Sequence, residues 1–161
     1  MIIVLATEEP LLSQVRDIFR EYQSYLGFDL CFQNFEAELS TLPGKYAPPQ
    51  GRLYLAIEAE QVMGCIALRP IEQSKCEMKR FYVRAEYRGR KVGRALADKL
   101  IEEARKIGYG EMVLDTVPSQ AAAQALYSCL GFRDIAPYCF NPIEGTRYMS
   151  LDLSGKQNSV L

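Results

Sequence analysis

The residues best equipped for chemistry lie in one stretch, Phe81-Tyr82-Val83-Arg84-Ala85-Glu86-Tyr87-Arg88-Gly89-Arg90-Lys91-Val92-Gly93-Arg94. An apolar run that reads as a strand gives way to a basic, glycine-containing turn, and an amphipathic helix follows. The first N–H groups of a helix lack intrahelical partners and sit at the positive end of its macrodipole. Glycines let a phosphate come close to that backbone, and guanidinium groups add charge-assisted hydrogen bonds. The combination is a cradle for a diphosphate. It is not a P-loop, because GxxxxGK[ST] occurs nowhere, and Gly108-Tyr109-Gly110 lacks the third glycine of a dinucleotide fingerprint and follows a helix. A solvated basic helix start with a glycine kink is the alternative reading of the same residues.

Composition narrows the remaining chemistry. The 161 residues contain no histidine, which excludes an imidazole base and any His-containing metal site. The five cysteines, Cys31, Cys65, Cys76, Cys129 and Cys139, are an odd number without CxxC spacing, and read as buried free thiols of a reducing, cytoplasmic compartment. Net charge is −1, which argues against a general nucleic-acid binder, yet residues 79–94 carry +6 and the rest of the chain −7. That asymmetry points to a local anionic ligand. Met1–Ala6 is apolar but reads as a strand rather than a leader, and no run approaches 18 apolar residues, so no membrane span is expected.

The elements that must position the cradle follow from periodicity. Residues 2–6 read as a strand, and Thr7 is placed to cap a helix that carries Leu11, Val15, Ile18, Tyr22 and Leu26 on one stripe to Gly27. A short helix is expected at Phe35–Leu39. Arg52–Glu58 and Val62–Ile71 form a hairpin turning near Ala59–Gln61, and Cys76–Val83 is the next strand. Val92–Ile107 is a strongly amphipathic helix stopped by Gly108. Glu111–Val117 is a strand, Ser119–Leu130 an Ala-rich helix with a Ser cap, and Phe132–Ile135 and Arg147–Leu153 close the sheet. One domain over 1–153 with an α+β or mixed α/β sheet is expected, followed by a polar, flexible tail over 154–161.

With the elements in place, Arg88-Gly89-Arg90-Lys91-Val92-Gly93 resembles the Q/R-x-x-G-x-G/A acetyl-CoA signature of the GNAT superfamily of N-acetyltransferases. Ala123-x-x-Leu126-Tyr127-x-x-x-Gly131-Phe132 is similar to that family's second motif, one helix and one strand later. The order of elements over 2–153 fits as well. Two positions depart from the pattern: Lys91 stands where the family usually has its first glycine, and Gln120 where it usually has Asn.

The resemblance implies a GNAT-like acyltransferase fold, with a mostly antiparallel twisted sheet and about four helices. It implies acetyl-CoA as co-substrate, no metal, an amine acceptor that is a small molecule, amino acid derivative or peptide, and a homodimer as a frequent assembly. Cofactor contacts would come from Phe81, Tyr82, Val83, Arg88, Gly89, Arg90, Lys91, Val92, Gly93, Arg94, Gln120, Ala123 and Tyr127.

Three tasks then need residues. An alkylamine with a pKa near ~10 must lose a proton, and Glu77, on the strand before the turn, is the candidate base, its pKa raised by an apolar surround. Its alternative is a strand-edge carboxylate paired with Lys75 or Lys79. Backbone N–H groups near Tyr82–Val83 would stabilise the oxyanion. Tyr127, with an ordinary phenol pKa near ~10, would protonate the departing thiolate. On the acceptor side Tyr22, Tyr25 and Phe28 would wall a pocket, Arg69 would hold a substrate carboxylate, and Tyr138 and Asn141 would line the far side. Acetylation of a protein lysine or N-terminus, or a catalytically weak CoA-binding sensor or interaction domain, are the competing functions.

Overall fold

The computed structural model describes residues 1–28, 30 and 34–155. Its first strand, β1 (Ile2–Leu5), leads into α1 (Leu11–Leu26), whose buried positions Leu12, Val15, Ile18, Phe19, Tyr22 and Leu26 recur at helical spacing. The helix ends where Gly27 turns left-handed, with φ +77°. Thr7 does not cap it. The first helical turn is instead closed by the Glu9 carboxylate, which accepts from the Ser13 N–H at 3.0 Å. A short α2 (Phe35–Thr41) follows.

β2 (Arg52–Glu58) and β3 (Gln61–Glu72) form the expected hairpin, with Ala59 and Glu60 both at positive φ in its two-residue turn. β4 (Lys75–Val83), α3 (Val92–Ile107), β5 (Glu111–Thr116), α4 (Ala121–Leu130), β6 (Arg133–Asp134) and β7 (Arg147–Asp152) complete the chain. The last helix begins two residues later than Ser119, and β6 is shorter than the expected Phe132–Ile135. Cys31 and residues 156–161 of the tail lie outside the described residues.

Among the described residues seven strands form one mixed sheet in the order β1-β2-β3-β4-β5-β7-β6. Every neighbouring pair is antiparallel except β4 and β5, which α3 joins as a crossover. Strand alternation splits the core between the two faces. Ile66 and Leu68 of β3 pack with Leu96, Leu100 and the rest of the α3–α4 side. Cys65 and Ala67 face Ile18, Phe19 and the α1–α2 side.

Two features of β4 decide what it can present. Its ladder with β5 covers only Lys75–Glu77 against Glu111–Val113. Beyond that point the strands separate, each held by its other neighbour: Tyr82 and Val83 pair with Cys65 and Gly64, while Leu114–Thr116 pair with Arg147–Met149. Between Lys79 and Tyr82 the register with β3 slips by a residue, and Arg80 in this bulge has φ +57°. The Arg80 side chain is 3% exposed and donates to Glu38 at 2.8 and 3.1 Å, fastening the bulge to α2.

Gly64 sets the close approach of β3 to β4, since a Cβ there would lie 2.7 Å from the Tyr82 carbonyl oxygen and 3.2 Å from a Leu96 methyl. Gly64→Ala is therefore expected to cost about 1–3 kcal/mol through overpacking. A lower urea midpoint at unchanged m-value in equilibrium unfolding is the result that checks it.

Candidate active site

The opening between β4 and β5 leads to three adjoining spaces. The first, about 410 Å³, lies where β4 ends and α3 begins, lined by Phe81, Tyr82, Val83, Arg88, Gly89, Lys91, Val92 and Gly93. Ala122, Ala123 and Leu126 of α4 form its opposite wall, so the small residues of that helix leave room that larger ones would fill. Gly89 turns with φ +80° and Lys91 caps α3 with φ +63°, a left-handed conformation that favours glycine. No side chain caps this helix start, and its first intrahelical bond runs from Ala95 N–H to the Lys91 carbonyl. The N–H groups of Val92, Gly93 and Arg94 precede that bond and are left to an outside acceptor. Gly93 also lets the helix approach β4, as a Cβ there would come 3.1 Å from the Phe81 ring. The Arg88 guanidinium lies 4.7 Å from the Tyr25 ring centroid and 5.9 Å from that of Tyr82, and its Nε donates to the Val83 carbonyl at 3.1 Å.

The second space, about 30 Å³, shares Phe81 and Gln120 with the first and is also lined by Tyr22, Phe28, Asp115, Tyr127 and Asn141. Tyr127 is buried, with ring centroids 6.0 Å from Phe81 and 5.6 Å from Phe132, and burial pushes its phenol well above the ordinary range. The third space, about 480 Å³, shares Lys79, Arg80 and Asp115 with the second and adds Glu38, Arg69, Glu77 and Cys139. Glu77 is 1% exposed. It accepts from Arg69 Nε at 2.6 Å and from the Tyr138 hydroxyl at 2.5 Å. The Asp115 carboxylate accepts from Asn141 Nδ2 at 3.0 Å. Burial lowers the Lys79 ammonium from its usual range and, with Asp115 and Glu77 nearby, raises the Cys139 thiol to about 11. Among the described residues no cluster of three metal-ligating side chains occurs, and no helix is long and apolar enough to cross a membrane.

A model of the acetyltransferase (GNAT) family matches residues 12–132. A Schizosaccharomyces pombe protein named as an uncharacterized N-acetyltransferase is 40% identical over 145 residues, covering 89% of each chain. The chain belongs to the GNAT family of acetyltransferases. An IAA acetyltransferase of Azospirillum brasilense is 34% identical over 139 residues, 84% of this chain and 88% of that one. The fold matches the N-acetyltransferase paia of Thermoplasma acidophilum, solved in complex with coenzyme A, at TM-score 0.72 and 19% identity, over 94% of this chain and 99% of that one.

Within this GNAT chain several expected site residues land elsewhere than the sequence places them. Arg90 turns to Glu58 at 2.6 Å and Arg94 to Asp98 at 3.1 Å, so neither side chain lines the cradle. Arg80 and Arg84 are likewise ion-paired, the latter to Glu21 at 2.7 Å. The segment's +6 charge is thus largely matched by carboxylates, three from other elements and Asp98 from α3 itself. Tyr25 lines the cofactor-sized cavity rather than the acceptor side, and Phe28 lines the small space between.

Glu77 is enclosed by Arg69 and Tyr138 rather than by apolar groups, and its ion pair is with Arg69, not Lys75 or Lys79. Tyr138 and Asn141 reach the two buried-side carboxylates from one loop. Gln120 keeps its carbonyl oxygen within the protein, accepting from the Val117 N–H and the Thr116 hydroxyl, both at 3.1 Å. Of the four described cysteines, Cys65 and Cys76 are buried, but Cys129 and Cys139 are exposed, against expectation. Sequence reasoning did not single out Asp115 or Ala122, and quoted Tyr87 and Leu126 within motifs without assigning them to the cavity walls they form. The first could have been found as a charge interrupting the apolar β5 at its C-terminal end.

Tyr22 supplies a pH-dependent signature of the buried site. Burial pushes its phenol up to about 12. The unfolded chain releases this proton near pH ~10 while the folded one keeps it, so the stabilisation is complete below ~10 and is lost as pH rises toward about 12. Two units of difference correspond to about 2–3 kcal/mol. Urea midpoints followed from pH 9 to 12 should fall, and Tyr22→Phe should flatten part of that fall.

Proposed function

We propose that this protein transfers the acetyl group of acetyl-CoA to a primary amine of a small molecule, amino acid derivative or peptide, by direct attack within a ternary complex. The observation that carries the reading is the row of three spaces along β4, running from an uncapped helix start to the buried carboxylate of Glu77 and the half-buried one of Asp115. The residues present fit the co-substrate. Free N–H groups of Val92, Gly93 and Arg94, with Lys91 and Arg88 beside them, suit a diphosphate. The β4 backbone past Glu77, without a β5 partner, suits the amides of a pantetheine arm as an added strand does. Acetyl-CoA supplies an acetyl thioester open to attack by nitrogen.

The chain's own residues do the rest. Gly89 and Gly93 keep the turn and helix close to the diphosphate. Arg88, now stacked on Tyr25 and Tyr82, carries its charge at the same mouth. Backbone N–H groups near Tyr82–Val83 stabilise the negative charge that develops on the carbonyl oxygen. Glu77, its carboxylate oriented by Arg69 and Tyr138, takes the amine proton directly or through water. Tyr127 remains protonated at neutral pH because burial disfavours its phenolate, so it meets the leaving sulfur as a donor.

Steady-state kinetics with acetyl-CoA and a panel of free amines and peptides tests this. Glu77→Gln should lower kcat/KM by about 10²–10⁴, most at low pH where the amine is fully cationic. Tyr127→Phe should lower kcat with little change in CoA affinity; retained kcat with an unaltered pH profile removes Tyr127 from the chemistry. Arg88→Ala should weaken coenzyme A by about tenfold, less so at high salt, while leaving pantetheine affinity nearly unchanged.

A further inference from the structure

The third space does not end at Glu77 and Asp115. It adjoins a further cavity of about 490 Å³, and Gly44, Lys45 and Arg69 line both. Among the described residues the charges around the third space are unevenly paired. Arg80 is matched by Glu38 and Arg69 by Glu77. Lys79 faces the same cavity as Asp115. Lys45 stands exposed with no ion-pair partner among the described residues.

Arg69 is only partly used. Its side chain is 28% exposed, and Nε is the one nitrogen that donates to Glu77. Among the described residues the two terminal nitrogens have no hydrogen-bond partner, which leaves the outer edge of a planar fork unsatisfied. A guanidinium edge of this kind matches the two oxygens of a carboxylate, and a neighbouring ammonium adds a point charge without a geometric demand.

We infer that Arg69 and Lys45 hold a carboxylate of the acceptor. The substrate class is an amine with a carboxylate a few bonds away: an amino acid or a short aminoalkanoate. The carboxylate lies across the open edge of Arg69 beside Lys45, and the amine turns inward toward Glu77 and Asp115. This deepens the acetyl-transfer reading above and rests on it. Both ends of such a molecule find an opposite charge, whereas an amine without the acid leaves the fork unpaired. Sites built for a charged hydrogen bond reject ligands that lack it.

The experiment compares kcat/KM for amino acids, their amides and the corresponding decarboxylated amines, in the wild type, Lys45→Gln and Arg69→Lys. Lys45 is exposed, so Lys45→Gln keeps the test informative where Arg69→Lys disturbs Glu77. The wild type should prefer the carboxylated amine by tenfold or more. Lys45→Gln should shrink that preference several-fold, with little change for the decarboxylated amine and none in coenzyme A affinity.

Equal kcat/KM for the acid and its decarboxylated counterpart overturns the inference while leaving acetyl transfer intact. Where no amine is turned over, calorimetric titration of an N-acetyl amino acid decides. Binding that weakens in Lys45→Gln keeps the carboxylate site although the transfer reading falls. Absence of binding overturns the site as well.

Discussion

The end of the β4–β5 ladder at Glu77 and Val113 is the constraint on which the rest of the molecule depends. A parallel pair joined by a helical crossover ordinarily runs the length of its strands. Here each strand is claimed by its outer neighbour before the pair can extend. β3 holds Tyr82 and Val83, and β7 holds Leu114, Asp115 and Thr116. The gap is therefore pinned open from both sides. An unpaired strand flank is a template for extended polar chains. In this protein it runs from the uncapped start of α3 to the carboxylates of Glu77 and Asp115.

Charge is distributed to suit that opening. Most cations of residues 79–94 are spent inside the fold: Arg80 on Glu38, Arg84 on Glu21, Arg90 on Glu58 and Arg94 on Asp98. The first three tie α2, α1 and the hairpin to β4 and the turn after it, and the last lies within α3. Arg88 rests on two tyrosine rings and Lys91 occupies the helix cap, so both stay at the cavity mouth. The pair of buried Arg80 and half-buried Glu38 takes its place from the bulge, since φ +57° at Arg80 redirects the side chain toward α2. A regular strand would have put Arg80 elsewhere and left Glu38 without its guanidinium.

How much of this the sequence exposes depends on the range of the interaction. The strand–turn–helix cradle, the hairpin turn at Ala59–Glu60, Gly27 and Gly108 as helix stops, and the crossover α3 are set by local patterns, and all are present. Lys91 is instructive: family members place glycine there, and φ +63° gives the physical reason. Side-chain direction is set by distant partners and is not legible in the same way. Glu58, thirty-two residues away, draws Arg90 out of the cradle, whereas the Arg94–Asp98 pair is a local i,i+4 contact. Arg69 and Tyr138, eight and sixty-one residues from Glu77, replace the expected apolar surround. Thr7 and Ser119 look like caps by type, yet the Glu9 carboxylate closes the first turn of α1 and α4 starts from Gln120 without a side-chain cap.

The most direct test is an amide NMR titration of the protein with coenzyme A at modest ionic strength. Perturbations should concentrate in Phe81–Val83, Arg88–Arg94 and Ala122–Leu126, with the α2 side moved least. Saturating coenzyme A that leaves those three segments unshifted, or that shifts only residues outside the β4–β5 opening, contradicts the account.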